Sequence, residues 1–183
     1  ADLLRFPSLG IAGPRADAIQ AVYGLVIQAA SHHSYDELKL AVLFPSWEEK
    51  AWSWMRWLPH TFDDSRSVRY MADGSFEAAS LLEELEKELA RRASERPAWG
   101  SAAPALPHYL FIVADPSLLR GRKLAEYLLK NDPSLGVSCI FLGESLAQLP
   151  KDVTQILETG GGRGVLYTRA QAETRREFAP DLI

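Results

Sequence analysis

The run His108-Tyr-Leu-Phe-Ile-Val-Ala114 constrains this chain more than any other stretch. Its side chains are apolar at consecutive positions, and a strand sends successive side chains to opposite faces. Such a strand is stable where both faces of its sheet are covered, which points to a largely parallel sheet between two layers of helices. Ser8–Ala12, Leu38–Phe44 and Val137–Leu142 read as further buried strands, and Val68–Ala72 as a short one. Ile19, Val22, Tyr23, Val26 and Ile27 recur at helical spacing after Gly13-Pro14, where the missing proline N–H is tolerated. A second helix is predicted from about Ser75 to Arg96, with Phe76, Leu81, Leu82, Leu85 and Leu89 as its buried stripe. Its Glu-Glu-x-Glu-Lys-Glu run forms a solvated face. Pro97–Pro107 reads as a loop that is mobile or contacts a partner. Helical turns are expected from Ser117 to Asn131, and Thr154–Glu158 and Gly164–Thr168 form a hairpin about Gly160–Gly162. The expected fold is therefore α/β: a mostly parallel sheet with helices on both faces and an antiparallel C-terminal edge, in one domain over 1–183.

Twenty Lys and Arg stand against 24 Asp and Glu, a net charge of −4. No basic excess exists to hold a phosphate backbone, so nucleic acid is not expected as a partner. The single cysteine, Cys139, excludes an intramolecular disulfide and a cysteine-based zinc site. Within an apolar strand it is expected to be a buried, inert thiol. Neither a membrane span nor a signal peptide is visible, and the chain opens on Ala1. It reads as a soluble piece of something longer.

A first strand running through glycine into a helix is where an α/β protein places a phosphate loop. A Walker loop needs G-x-x-x-x-G-K-[ST], with lysine on the terminal phosphates and the hydroxyl on Mg²⁺. None of the 12 glycines is followed by lysine. The loop Gly10-Ile-Ala-Gly13-Pro-Arg15-Ala-Asp17 is also short, and Asp17 brings the wrong charge. Gly13 and Arg15 are the residues that would meet an anion, although Arg15 reads first as an exposed, solvated side chain. Asp115, ending the central strand, occupies the place of a metal-directing acid, but Pro116 follows it where motor ATPases commonly carry glutamate. Asp115-Pro-Ser is also a complete helix cap. Without lysine, hydroxyl and base, most of the electrostatic stabilisation of phosphoryl transfer is missing. No catalytic residue is assigned. Metal ligands are not assigned either: His32 and His33 sit at a helix end, and His60 and His108 lack carboxylate or thiol neighbours at ligand spacing.

Four of the five tryptophans fall between Trp47 and Trp57. Ser46-x-x-Glu49 reads as a capping box opening a helix to about Trp57, ended by Pro59. On that helix Trp54 and Trp57 share a face with Trp47, while Trp52 lies off it. At least one ring is thus expected to be partly exposed or to meet another domain. Trp54, Trp57, Leu58, Pro59 and His60 are the candidate docking surface, or the packing that holds one.

The combination of a helix ending His33-Ser-Tyr-Asp-Glu-Leu-Lys-Leu-Ala-Val42 with Trp52-Ser-Trp-Met-Arg-Trp-Leu-Pro-His60 resembles the FtsK/SpoIIIE-like ATPases of type VII secretion, the EssC/EccC family. Pro107–Asp115, Gly136–Leu149 and Phe178-Ala-Pro-Asp181 extend the likeness over most of the chain. The resemblance implies a RecA-like, P-loop-NTPase-like domain with a degenerate phosphate loop, lying between membrane helices and tandem motor ATPases. It implies no cofactor in this segment, with ATP and Mg²⁺ held by neighbouring modules. The implied partners are those ATPase modules, membrane components of the machine and further copies in a ring, at the cytoplasmic face of the bacterial plasma membrane. The larger protein would export WXG-type proteins. Two alternatives stay open: an ATP-binding domain with an atypical loop using Arg15 and Asp115, and an FtsK-like DNA-translocase module.

Overall fold

The computed structural model describes residues 3, 5–74, 76–95 and 106–179, without the side chains of 76–78, 172 and 174. The predicted loop lies outside these residues from Pro97 to residue 105, as do Ser75, Arg96, Asp181 and the Phe76 side chain. The described chain runs β1 (Ser8–Ala12), α1 (Arg15–His32), β2 (Leu38–Leu43), α2 (Glu49–Trp52), β3 (Met71–Ala72), α3 (Phe76–Ser94), β4 (His108–Val113), α4 (Leu124–Leu129), β5 (Val137–Gly143), β6 (Gln155–Gly160), β7 (Arg163–Thr168) and β8 (Gln171–Phe178). These strands form one sheet in the order β3-β2-β4-β5-β1-β6-β7-β8. It is parallel from β3 to β6, and β7 and β8 add the antiparallel edge.

Alternation along the central strands sorts the core into two layers. Leu110, Ile112 and Ala114 face α1 with Leu40, Val42, Ile140 and Leu142. Tyr109, Phe111 and Val113 face α3 and α4 with Leu85, Leu89, Leu124 and Leu128. The three-layer α/β arrangement is the one expected. The Gly160–Gly164 hairpin also forms: Gly161 and Gly162, at φ of 59° and 73°, make the tight turn between paired β6 and β7.

Three local expectations change. The strand predicted at Val68–Ala72 shrinks to Met71–Ala72, because residues 63–68 fold back on Asp63, whose carboxylate accepts from the Val68 N–H at 2.8 Å and from two serine hydroxyls. The hairpin gains a third strand, β8, whose charged residues suit an exposed sheet edge and hide its strand pattern. The helix expected from Ser46 to Trp57 is broken into a 3-10 turn at Ser46–Glu48, the single turn α2 and a 3-10 helix at Ser53–Trp57. Neither Ser46 nor Glu49 makes the capping-box bonds; Glu49 instead accepts from Arg56. The tighter winding places Trp52, Met55 and Leu58 three apart on the inner side.

Candidate functional site

β1 and β5 are neighbours, yet the chain leaves them on opposite faces of the sheet, toward α1 and toward Leu149 and Val153 respectively. In open α/β sheets the crevice beyond the carboxyl ends of such strands is the habitual ligand position. A cleft of about 730 Å³ lies there, lined by Arg15 from the start of α1, Asp115 after β4, Gly143 and Glu144 at the end of β5, Arg120, and the segment Pro45–Glu48 without Ser46.

Three of the charged side chains in this cleft are already engaged, Arg15 and Glu48 with each other and Asp115 with backbone. Arg15 opens α1 only two residues after β1, and its guanidinium meets Glu48 in a two-pronged pair, Nε to Oε1 at 2.7 Å and Nη2 to Oε2 at 2.6 Å. The expectation of a solvated Arg15 is therefore corrected: a carboxylate 33 residues further on captures it. Glu48 Oε2 also accepts from the indole N–H of Trp52 at 3.0 Å. Burial acts to raise the Glu48 carboxyl, but the bonds from Arg15 and Trp52 outweigh it and hold the group below its usual range. Asp115 accepts from the Ser117 N–H at 2.8 Å with Pro116 as the first helical residue, so the predicted cap is present. Gly13, at φ of 151°, presses its Cα against Thr159, and a Cβ there would run into the Thr159 carbonyl. Gly13 N–H donates to Gly143 O at 3.2 Å.

These residues are a poor match for a magnesium triphosphate. The β1–α1 connection is Gly13-Pro14, too short to wrap a phosphate, and Pro14 has no N–H to offer. Arg15, the cation at the head of α1, is already bonded to Glu48, and Asp115 caps a backbone turn. Among the described residues no group of three or more His, Cys, Asp or Glu is arranged to hold a metal ion.

The tryptophans divide sharply. Trp52 is fully buried, and Trp54 is half-buried with its ring edge-on to Tyr23, centroids 5.2 Å apart. Trp52 also meets Tyr23, at 6.1 Å, and the Tyr23 hydroxyl donates to Ala51 O. Trp47 and Trp57 are 79% and 82% exposed. The placement of Trp52 off the packed face is corrected by the change of winding. Of the other docking candidates, Pro59 is exposed, Leu58 packs against the α1-side core, and His60 is buried with Nε2 2.9 Å from His33 O. Cys139 is buried, and burial pushes its thiol far up.

Sequence reasoning singled out Arg15 and Asp115, which share the cleft, and Gly13, which packs behind it. It missed Glu48 and the outward position of Trp47. The i, i+4 spacing of Glu48 and Trp52 was the only available signal, and nothing local ties Glu48 to Arg15.

No family model matches the sequence. The ESX secretion system protein EccC of Geobacillus thermodenitrificans is 28% identical over 151 residues, covering 82% of this chain and 10% of that protein. The type VII secretion system protein EssC of Staphylococcus aureus is 24% identical over 175 residues, 93% of this chain and 12% of that one. The chain is thus similar, over most of its length, to EssC/EccC proteins of type VII secretion. It spans only about a tenth of the length of these relatives. Solved EssC and EccC structures share its fold. EssC ATPases 2 and 3 of G. thermodenitrificans match at a TM-score of 0.71 and 13% identity, over 98% of this chain and 40% of theirs. The cytoplasmic domain of the Thermomonospora curvata type VII secretion ATPase EccC matches at 0.65 and 12% identity, over 100% of this chain and 24% of that one. The chain thus has the fold of these EssC and EccC ATPase structures.

Proposed function

We propose that this chain is a non-catalytic module of a type VII secretion motor protein, serving assembly and regulation of the ATPase modules in the same polypeptide. In this reading it lies at the cytoplasmic face of the plasma membrane, holds no cofactor and works beside modules whose ATP turnover drives export of WXG-type proteins. The observation that carries it is the Arg15–Glu48 pair: the one cation that opens α1 beside the cleft is held by an internal carboxylate. An anionic ligand seeking Arg15 would have to displace Glu48 and leave a desolvated carboxylate and the Trp52 N–H unpaired. The two-residue β1–α1 connection, lacking the lysine and hydroxyl of a phosphate loop, supports the same reading.

Titration of the protein with Mg·ATP, followed by calorimetry, tests it. No saturable heat is expected from this region up to millimolar nucleotide. Saturable binding that disappears in Asp115→Ala would establish the rival reading, an ATP-binding domain with an atypical loop. That rival draws on the shared position of Arg15 and Asp115 in the cleft.

A further inference from the structure

The segment 46–61 is fixed from within and bare outside. Trp52, Met55 and Thr61 are fully buried, and His60 is nearly so. The Tyr23 hydroxyl, the Arg15 guanidinium and the His33 carbonyl bond to it from the protein side. From this anchored backbone, Trp47 and Trp57 turn four-fifths of their surface outward. Neither indole is required by the core, which already takes Trp52 and half of Trp54. Tryptophan buries on the order of 200 Å² when covered and is the residue most enriched at binding hot spots. Two such rings, ten residues apart on one anchored segment, are left to be covered. At about 1.5–2 Å of rise per helical residue their Cα atoms stand within roughly 15–20 Å of each other.

We infer that Trp47 and Trp57 are the two anchors by which this domain docks on an adjacent ATPase module of the same polypeptide. This rests on the reading above that the domain works beside such modules. Two observations select that occupant. The chain is about a tenth of its relatives' length, and the G. thermodenitrificans EssC structure it resembles carries two ATPases in one chain, of which it matches 40%. In proteins of that length a large stretch of polypeptide lies outside the matching region, enough to cover such a face. Charge defines the partner surface further: the cleft wall beside Trp47 carries Asp115 and Glu144 against Arg120, with Arg15 neutralised by Glu48. The complementary surface is an apolar pocket for an indole, bordered by lysine or arginine.

Lys50, exposed between the two rings, provides the probe. In the full-length protein, an amine-reactive cross-linker is expected to join Lys50 to an adjacent ATPase module, within one chain when light and heavy isotope-labelled copies are mixed. Hydroxyl-radical footprinting on the same protein should modify Trp47 and Trp57 about as slowly as Trp52. The double variant Trp47→Ala/Trp57→Ala should lose the cross-link several-fold while keeping its thermal midpoint, since neither ring supports the core. Rapid modification of both rings overturns the inference. A cross-link only between chains, or only to a membrane component, replaces the occupant and overturns it equally. The nucleotide titration is independent of these readouts, so ATP binding with intact docking would sink the non-catalytic reading alone.

Discussion

The two ends of the parallel sheet use the same chemistry to different effect. At the amino end, before β4 and β5, Arg92 is buried and every side of it is used. Its guanidinium bonds Glu88 at 2.7 Å, the carbonyls of Leu135 at 3.1 Å and Pro107 at 2.9 Å, and stacks over Tyr109 at 4.8 Å. At the carboxyl end Arg15 makes an equally short pair with Glu48, but it does so on the wall of an open cleft, with a quarter of its side chain in water. The difference lies in what each charge holds. Arg92 ties α3 to the entries of two central strands, whereas Arg15 ties the head of α1 to one surface segment. The same kind of ion pair is a structural rivet at one end and, in the function proposed above, a stopper at the other.

Arg92→Ala should break this comparison most severely. It strips the buried Leu135 and Pro107 carbonyls of their donor, while Glu88 keeps Arg91, and a destabilisation of about 3–5 kcal/mol is expected in urea unfolding. Arg92→Lys should recover little, because one ammonium cannot reproduce the fork and the ring stacking.

The next effect is a pH dependence at the same end. Ser138 gives its hydroxyl proton to Leu3 O at 2.8 Å, so His108 Nε2 must donate to Ser138 at 2.9 Å. Nδ1 is left buried without a protein partner. Burial, then the positive charges of Arg92 and His33, push the imidazole down to about 4. A depressed histidine leaves the folded state with fewer protons than the unfolded one, so its contribution is intact above the unfolded value of about 6.5. It declines as pH falls toward the folded value, by about 3 kcal/mol at the limit. The difference between wild type and His108→Gln across this window isolates the effect; a constant difference would refute it.

At the carboxyl end Glu48→Ala should cost less, about 1–2 kcal/mol, since solvent can reach Arg15 although the Trp52 N–H is orphaned. If Glu48 is the stopper, Glu48→Gln should also let inorganic pyrophosphate reach Arg15, detectable as a chemical-shift change at α1. No response in Glu48→Gln would mean that the carboxylate does not set anion access.

The layers of this fold were legible because apolar runs and helical stripes are local patterns: the unbroken Tyr109–Val113 and the Leu81–Leu89 stripe appear where expected. β8 was hidden because an edge strand needs no apolar face, and its residues read as charged coil. The Asp115 cap was legible from three consecutive residues. The Arg15–Glu48 pair was not, since its members meet only after α1 and β2 have packed. The tryptophan segment was misread for a related reason. Helical periodicity assumed one winding, and the shift to 3-10 geometry moved Trp52 inside and left Trp57 outside.

The smallest effect concerns Asp115, and it separates a cap from a metal-directing acid. Its carboxylate holds the Ser117 N–H at the start of a single 3-10 turn, Pro116–Leu119. Loss of that bond in Asp115→Ala should cost about 1 kcal/mol, and Asp115→Asn, an equally good cap, close to nothing. A nucleotide site would rank the same variants differently. An amide cannot supply the negative charge that orders Mg²⁺, so Asn would be as damaging as Ala to ligand binding. Thermal midpoints and Mg·ATP titrations of the two variants therefore give opposed patterns. A stable Asp115→Asn protein with unchanged, absent nucleotide binding leaves the carboxyl end of the sheet with a cap and a closed pair, matching the rivets at the other end in chemistry but not in strength.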